Sequence, residues 1–240
     1  MTSVVLYEKR GAVGLITLNR PDRKNAITQQ LLTELFDSVE AADADTGVGA
    51  LVLSGGGNSF CSGIDLDCLV TDNLVNPRGD GKDMVDVFQG CDTPIIGAVS
   101  GYAITGGFEL ALNCDFLIAD ETACFMDTHA KIGIHPGWGM TQLLQQAVGR
   151  KRALQISLTC EKVSAEKAMG WGLVNEVVTN DTLLPRAIEL AEKIAAVNRE
   201  MMQTVKGFIQ KQDTVHADEG LRQEKKAFKQ FASIALAHSS

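Results

Sequence analysis

Apolar residues in the first two-thirds of the chain fall alternately into short β-branched runs and helical stripes. Val4–Tyr7 and Val13–Leu18 are two such runs separated by a Gly-containing turn, which predicts a hairpin or adjacent strands. Thr28 then opens a predicted helix whose Leu31, Leu32, Leu35, Phe36 and Val39 share one stripe. Ala50–Leu53 is a continuous apolar run ending at three glycines, Gly55 to Gly57, as a buried strand and tight turn would. Ile95–Val99 repeats the pattern before Ser100 and Gly101. A short helix is predicted from near Gly106, followed by a strand at Phe116–Ala119. Strand, turn and helix recurring in this way predict α/β architecture.

The segment from Thr71 to Lys82 breaks the alternation. It is polar, contains Pro77, Gly79 and Gly81, and predicts a surface loop leading into a helix from about Asp83. After Val178 the strand signal fades. Leu183–Val197, Arg199–Val215 and Leu221–Leu236 are helix-patterned, so the chain divides into an expected core over 1–180 and a helical region over 181–240. Consecutive helices after an α/β core suggest a cap or an oligomerisation arm.

Composition narrows the partners. A net charge of −8 speaks against nucleic acid, whose phosphates reward a basic surface. No apolar stretch reaches the ~18 residues that a membrane span needs. The N-terminus reads as a first strand rather than a signal peptide, and the last residues match no retention or peroxisomal signal, so a cytoplasmic protein is expected. The six cysteines form no C-x-x-C pair, which argues for reduced thiols and against a zinc site. Neither a P-loop nor a dinucleotide glycine motif occurs, so no redox cofactor is implied, and no Gly-x-Ser-x-Gly elbow marks a serine hydrolase.

Four segments could carry chemistry. Leu18 to Ala26 is a basic turn after a strand: either a solvated turn, or a phosphate contact through Arg23 or Lys24 in an otherwise acidic chain. In Asn58 to Leu66, Gly63 lets the chain bend so that the next amide points into a pocket, or it is an ordinary loop glycine. In Gly101 to Leu110, two glycines at a helix start serve either tight packing or close approach to a developing negative charge. Glu109 lies three residues after Gly106, on the same face of that helix. Phe125 to Gln142 contains His129 and His135, which cannot both be assumed functional.

Together these segments resemble the crotonase, or enoyl-CoA hydratase/isomerase, superfamily. The shared motifs are Asn-Arg-Pro-x-x-x-Asn-Ala, Phe-Cys-Ser-Gly-Ile-Asp-Leu, Gly-Tyr-Ala-x-x-Gly-Gly-x-Glu-Leu-Ala with the Cys-Asp after it, and Gly-Ile-x-Pro-Gly-x-Gly-x-Thr-Gln. Ala165–Ala168 with Gly172 to Val174 is similar to a further family segment. The resemblance implies a crotonase-like spiral of β-β-α turns with a C-terminal helical trimerisation region, as a homotrimer or dimer of trimers. It implies an oxyanion hole from the amides of Ile64 and Gly106, with Glu109 as one acid/base group. The substrate would be an acyl-CoA thioester, bound near Arg23, Lys24, Ala26, Ser62, Gly63, Asp65, Leu66, Pro136 and Gly137. Coenzyme A would enter as part of the substrate, with no separate cofactor and no metal.

The sequence departs from the family pattern at the second glutamate of the hydratases. That residue closes a Pro-Glu pair four positions before the glycine matched by Gly133; here the pair reads Thr128-His129. Imidazole titrates near ~6.5 and can exchange a proton around neutrality, and a nearby Glu109 carboxylate favours the imidazolium. The expected chemistry is hydration of a 2-enoyl-CoA with Glu109 and His129 as acid and base. The alternatives are that His129 only lines the pocket, that the enzyme is a Δ3-Δ2-enoyl-CoA isomerase, or that the protein binds acyl-CoA with weak catalysis.

Overall fold

The computed structural model describes residues 3–68 and 71–211. A large sheet carries the strand order β1 (Val5–Arg10), β2 (Val13–Leu18), β3 (Ala50–Gly55), β4 (Ile95–Val99), then, beyond a shorter strand β5 (Tyr102–Ile104) that belongs elsewhere, β6 (Phe116–Asp120) and β9 (Glu176–Val178). The β1–β2 pair is antiparallel and every other neighbour is parallel.

The apolar runs build two layers because strand side chains alternate faces. Val13 and Leu15 of β2, Ala50 and Val52 of β3, Ile96 and Ala98 of β4, and Ile118 of β6 pack with Leu183, Ala187 and Ala191. Those last three lie on helix α8 (Asn180–Ala195). The intervening Ile16, Leu18, Leu51, Leu53, Ile95, Val99, Leu117 and Ala119 face the opposite core. There they meet α1 (Gln29–Ala44), α2 (Met84–Gln89) and α3 (Gly106–Leu112). Burial on both faces is why these strands read as continuous apolar runs. The helix α8, grouped by its sequence pattern with the C-terminal helices, lies within the compact unit that ends at Ala196.

A second sheet has the order β5, β7 (Cys124–Met126), β8 (Val163–Ser164). Parallel bridges Cys61↔Ala103 and Ile27↔Ile64 extend the same run of chain turns beyond it. Each turn thus leaves the large sheet at a strand's carboxyl end and adds a short extended piece to a second layer. The polar segment from Thr71 is a loop as its composition predicts, but it is anchored: Arg78 reaches Asp37 and Glu40 of α1 and lies over the Phe36 ring. Met84, Val87 and Phe88 are core residues, while Val85 is partly buried.

The remaining helices of this unit are α4 (His129–Ile132), α5 (Met140–Val148), α6 (Arg150–Thr159) and α7 (Ala165–Trp171). The second unit begins at Val197, and its described part is α9 (Arg199–Lys211). The predicted helix Leu221–Leu236 lies outside the described residues. Among the described residues no helix is long and apolar enough to cross a membrane.

Candidate active site

Strand ends place the site. The turn after β2, the loop after β3, and the short strands β5 and β7 all leave at carboxyl ends of the parallel strands, where ligands of α/β sheets bind. Ile27 donates to the Gly63 carbonyl and accepts from Asp65 N–H, at 2.8 and 2.9 Å. This parallel bridge uses the amides on either side of Ile64 and turns its own N–H the other way. Gly63 has φ +94°, a conformation open to glycine, and a Cβ there would stand 2.8 Å from the Ile104 carbonyl and 3.6 Å from the Gly106 nitrogen.

Gly106 opens α3, so its N–H has no partner within the helix. Among the described residues the amides of Ile64 and Gly106 have no hydrogen-bond acceptor. A Cβ added at Gly106 would meet Trp138 Cζ3 at 3.1 Å, Ile27 Cδ1 at 3.4 Å and Ile64 Cγ1 at 3.6 Å. The glycine therefore faces a narrow, largely apolar space. Preceding it, Thr105 holds φ 52° and ψ −110°, a conformation that costs on the order of 1–3 kcal/mol for a residue with a side chain. It is held by Thr105 N–H donating to Met126 O, by its carbonyl accepting from Phe108 and Glu109 N–H, and by a hydroxyl contact with Thr128.

Glu109 is buried one turn along the helix. Its Oε1 accepts from the backbone N–H of Trp138 at 2.8 Å and Met140 at 3.2 Å. Asn113, one further turn along, donates from Nδ2 to the Trp138 carbonyl at 2.9 Å and fixes that loop. With Oε1 engaged, Oε2 faces His129 Nε2 at 3.5 Å. On its other side, His129 Nδ1 lies 2.7 Å from Asp127 Oδ1, and the same oxygen accepts the His129 backbone N–H at 3.0 Å. All three side chains are buried.

Electrostatics follow from that row of groups. Burial alone would lower the His129 pKa, but the bonds and charges of Asp127 and Glu109 outweigh it and raise it to about 9. Burial would raise Asp127, yet the His129 and Ser157 bonds hold it below the ordinary carboxylate value. The site at neutral pH therefore contains an imidazolium between two carboxylic side chains, with the Asp127 one ionised.

The other sequence-predicted residues divide. The Ala26 carbonyl accepts from Arg20 Nη1, and Ser62 N–H donates to the Lys24 carbonyl at 3.0 Å, so both join the basic turn to the Gly63 loop. Asp65 is buried and accepts from Arg20 at 2.9 Å and Arg23 at 3.0 Å. Burial would raise its pKa, but the two guanidiniums hold it below the usual range. Arg23 also pairs with Asp67, while Lys24 lies 4.8 Å from the Tyr102 ring centre and has no carboxylate partner among the described residues. Leu66 is 71% exposed, Gly137 is exposed and Pro136 half-buried. His135 is exposed, with Nδ1 2.7 Å from the Pro136 carbonyl, so only His129 of these two histidines is buried beside Glu109.

Asp65 thus clamps the loop that presents Ile64. Asp65→Ala is expected to destabilise the protein by about 3 kcal/mol, because it leaves the largely buried Arg20 without its carboxylate and empties a buried site, while Arg23 keeps Asp67. Urea unfolding checks this; a loss below about 1 kcal/mol would place the cluster with ordinary surface pairs.

Sequence reasoning missed Asp127, Trp138, Asn113 and the Thr105–Thr128 contact. Asp127 is two residues before His129, a visible signal for a carboxylate partner, although the turn that points both side chains together is not visible. Trp138 and Asn113 act through backbone groups that no side-chain motif announces.

The chain matches the family model described as enoyl-CoA hydratase/isomerase over residues 8–238. A probable enoyl-CoA hydratase of Rhizobium meliloti is 40% identical over 230 residues, covering 93% of this chain and 88% of that protein. A probable peroxisomal enoyl-CoA hydratase 1 of Arabidopsis thaliana is 38% identical over 206 residues, covering 86% and 78%. The crystal structure of enoyl-CoA hydratase from Bacillus anthracis superposes with a TM-score of 0.87 at 32% identity, over 94% of this chain and 90% of that one. Two layers of mixed, mainly parallel strands, a glycine-opened helix carrying a buried glutamate, and similarity along nearly the whole sequence agree: the chain belongs to the enoyl-CoA hydratase/isomerase family.

Proposed function

We propose that the protein is an enoyl-CoA hydratase that adds water across the 2,3 double bond of an acyl-CoA thioester. The observation that carries this reading is the buried Glu109–His129 pair at 3.5 Å, with Glu109 on the helix that the unpaired Gly106 amide opens. The Ile64 and Gly106 N–H groups donate to the thioester oxygen. Glu109 takes a proton from water as its oxygen bonds to C3, and the double-bond electrons move to the thioester as an enolate. His129 then gives its proton to C2 as the enolate collapses. Each amide of such a hole is worth about 3–4 kcal/mol when removed.

Addition of water is redox-neutral overall, so the reaction needs no redox cofactor. Two amides hold the thioester oxygen and Glu109 and His129 move the protons, so no metal is proposed and no cofactor besides the coenzyme A that the substrate carries. Lys24, exposed beside Tyr102, is the cation of the basic turn best placed for a phosphate of that coenzyme. A homotrimer or a dimer of trimers belongs to the same proposal, supported by large apolar side chains left exposed on α6 (Leu154 and Leu158) and on α9 (Met201, Val205 and Ile209). A cytoplasmic location is also part of it, and cell fractionation tests that.

The deciding assay follows the enoyl-thioester ultraviolet absorbance of crotonyl-CoA, run beside a 3-enoyl-CoA assay. Loss of absorbance with formation of 3-hydroxybutyryl-CoA is expected. Turnover of the 3-enoyl substrate alone would assign an isomerase instead, and tight binding without turnover of either would assign an acyl-CoA binder.

A further inference from the structure

His129 has a partner on the side away from Glu109, and that partner sets what the imidazole can do. Asp127 stands at the end of β7, with Oδ1 2.7 Å from Nδ1 and accepting the His129 backbone N–H as well. A carboxylate only accepts, so Nδ1 carries the hydrogen in this contact whatever the state of Nε2. When His129 has given up one proton, the hydrogen it keeps is the one on Nδ1, and the lone pair lies on Nε2. That nitrogen is the one 3.5 Å from Glu109 Oε2.

We propose that Asp127 is the positioning residue of this site, fixing the tautomer and ring orientation of His129 so that protons pass directly between Glu109 and His129. The proposal rests on the hydratase reading for its substrate, though its geometric core does not. The cycle balances. Glu109 receives the water proton while the oxygen–C3 bond forms, and Nε2 loses its proton to C2. The enzyme is left with a protonated Glu109 facing a neutral Nε2. Transfer of that proton from Oε2 to Nε2 restores the carboxylate and the imidazolium without a proton from solvent.

The groups facing His129 agree with this role. The helix α3 presents Glu109, the end of β7 presents Asp127, and α6 presents the Ser157 hydroxyl to Asp127. Both acidic partners favour the imidazolium, consistent with a pKa raised to about 9. The sign is fixed by that direction. The acid stays loaded until pH rises through about 9, where activity falls; the stability its ion contacts contribute is fully present below the ordinary imidazole range and is lost over that rise.

The test uses the full-length enzyme and its Asp127→Asn variant, with 15N-histidine labelling and His129→Gln to assign the His129 resonance. In the wild type, His129 is expected to be doubly protonated at neutral pH and to titrate near 9. In Asp127→Asn the midpoint is expected to fall towards the ordinary ~6.5. The basic limb of kcat for crotonyl-CoA hydration should move down with it, with kcat at pH 8 reduced up to about 30-fold and KM changed less than about twofold. An unchanged His129 titration in a folded variant, or a loss confined to KM, would overturn the proposal. If the variant does not fold, a wild-type His129 whose neutral form carries its hydrogen on Nε2 and not on Nδ1, read from the 15N shifts, would overturn it equally. If the wild type turns over no enoyl-CoA, the hydratase reading fails, while the titration still decides the role of Asp127.

Discussion

Glu109→Gln is expected to lower kcat for enoyl-CoA hydration about 10³-fold, the middle of the range for loss of a general base. The substitution is suited to isolate chemistry from structure. Oε1 of Glu109 accepts from Trp138 and Met140 N–H, and the amide oxygen of Gln can take over both bonds. The loop over the site, held also by Asn113, should therefore stay in place. What changes is the atom facing His129. An amide nitrogen there cannot take a proton from water, and it sets a donor against Nε2 where a carboxylate oxygen stood. With the coenzyme A end bound by the basic turn as proposed, away from Glu109, affinity for a 3-hydroxyacyl-CoA should remain within about threefold of wild type. Stopped turnover with retained binding is the expected pair of results. A variant keeping a tenth or more of wild-type kcat would show that Glu109 is not the group that activates water.

Gly107→Ala is expected to be among the most damaging single methyl additions in the molecule, and the one that most directly displaces the site. A Cβ at this position would stand 2.1 Å from the Cys61 carbonyl oxygen and 2.7 Å from its carbon. Neither can retreat freely, because that carbonyl accepts from Ile104 N–H at 3.0 Å within the parallel bridge Cys61↔Ala103. The clash must be relieved by moving α3, and α3 carries both the Gly106 amide and Glu109. Overpacking of this kind costs about 3 kcal/mol, which lowers Tm by roughly 6–12 °C in a chain of this size. A displacement of about 1 Å also reduces kcat/KM about 10²-fold. Gly106→Ala is the control: its closest contacts are side chains, led by Trp138 at 3.1 Å, so the fold should survive while the pocket narrows. Thermal unfolding and steady-state kinetics on the two variants check the contrast. A Gly107→Ala protein with wild-type Tm and kcat/KM would show that α3 has slack the packing does not suggest.

The strands β2, β3, β4 and β6 of the large sheet were legible because each is buried on both faces, whereas β1 buries only Val5. Val13–Leu18 and Ile95–Val99 read as continuous apolar runs, and the structure places strands over the same residues. The Thr28 cap was legible for a local reason: its hydroxyl accepts the Leu31 N–H three residues on. The short strands Tyr102–Ile104, Cys124–Met126 and Val163–Ser164 were not, since two or three residues are too few to show a period. These pieces nonetheless carry Thr105 and Asp127 to the site.

By itself, then, the sequence determined which residues could do chemistry: an acid on a glycine-opened helix, a histidine where the family pattern has a glutamate, and a glycine before Ile64. Those features depend on residue type and local spacing, which the chain states directly. Only the tertiary structure decided which partners each would meet. Arg23 turned out to be held by Asp65 and Asp67, and His129 to be held between Glu109 and Asp127. The Glu109 carboxylate gained its fixed orientation from backbone groups about thirty residues further along the chain. Charge states and proton paths depend on distances of a few ångströms between segments far apart in sequence, and those distances exist only once both sheet layers have closed.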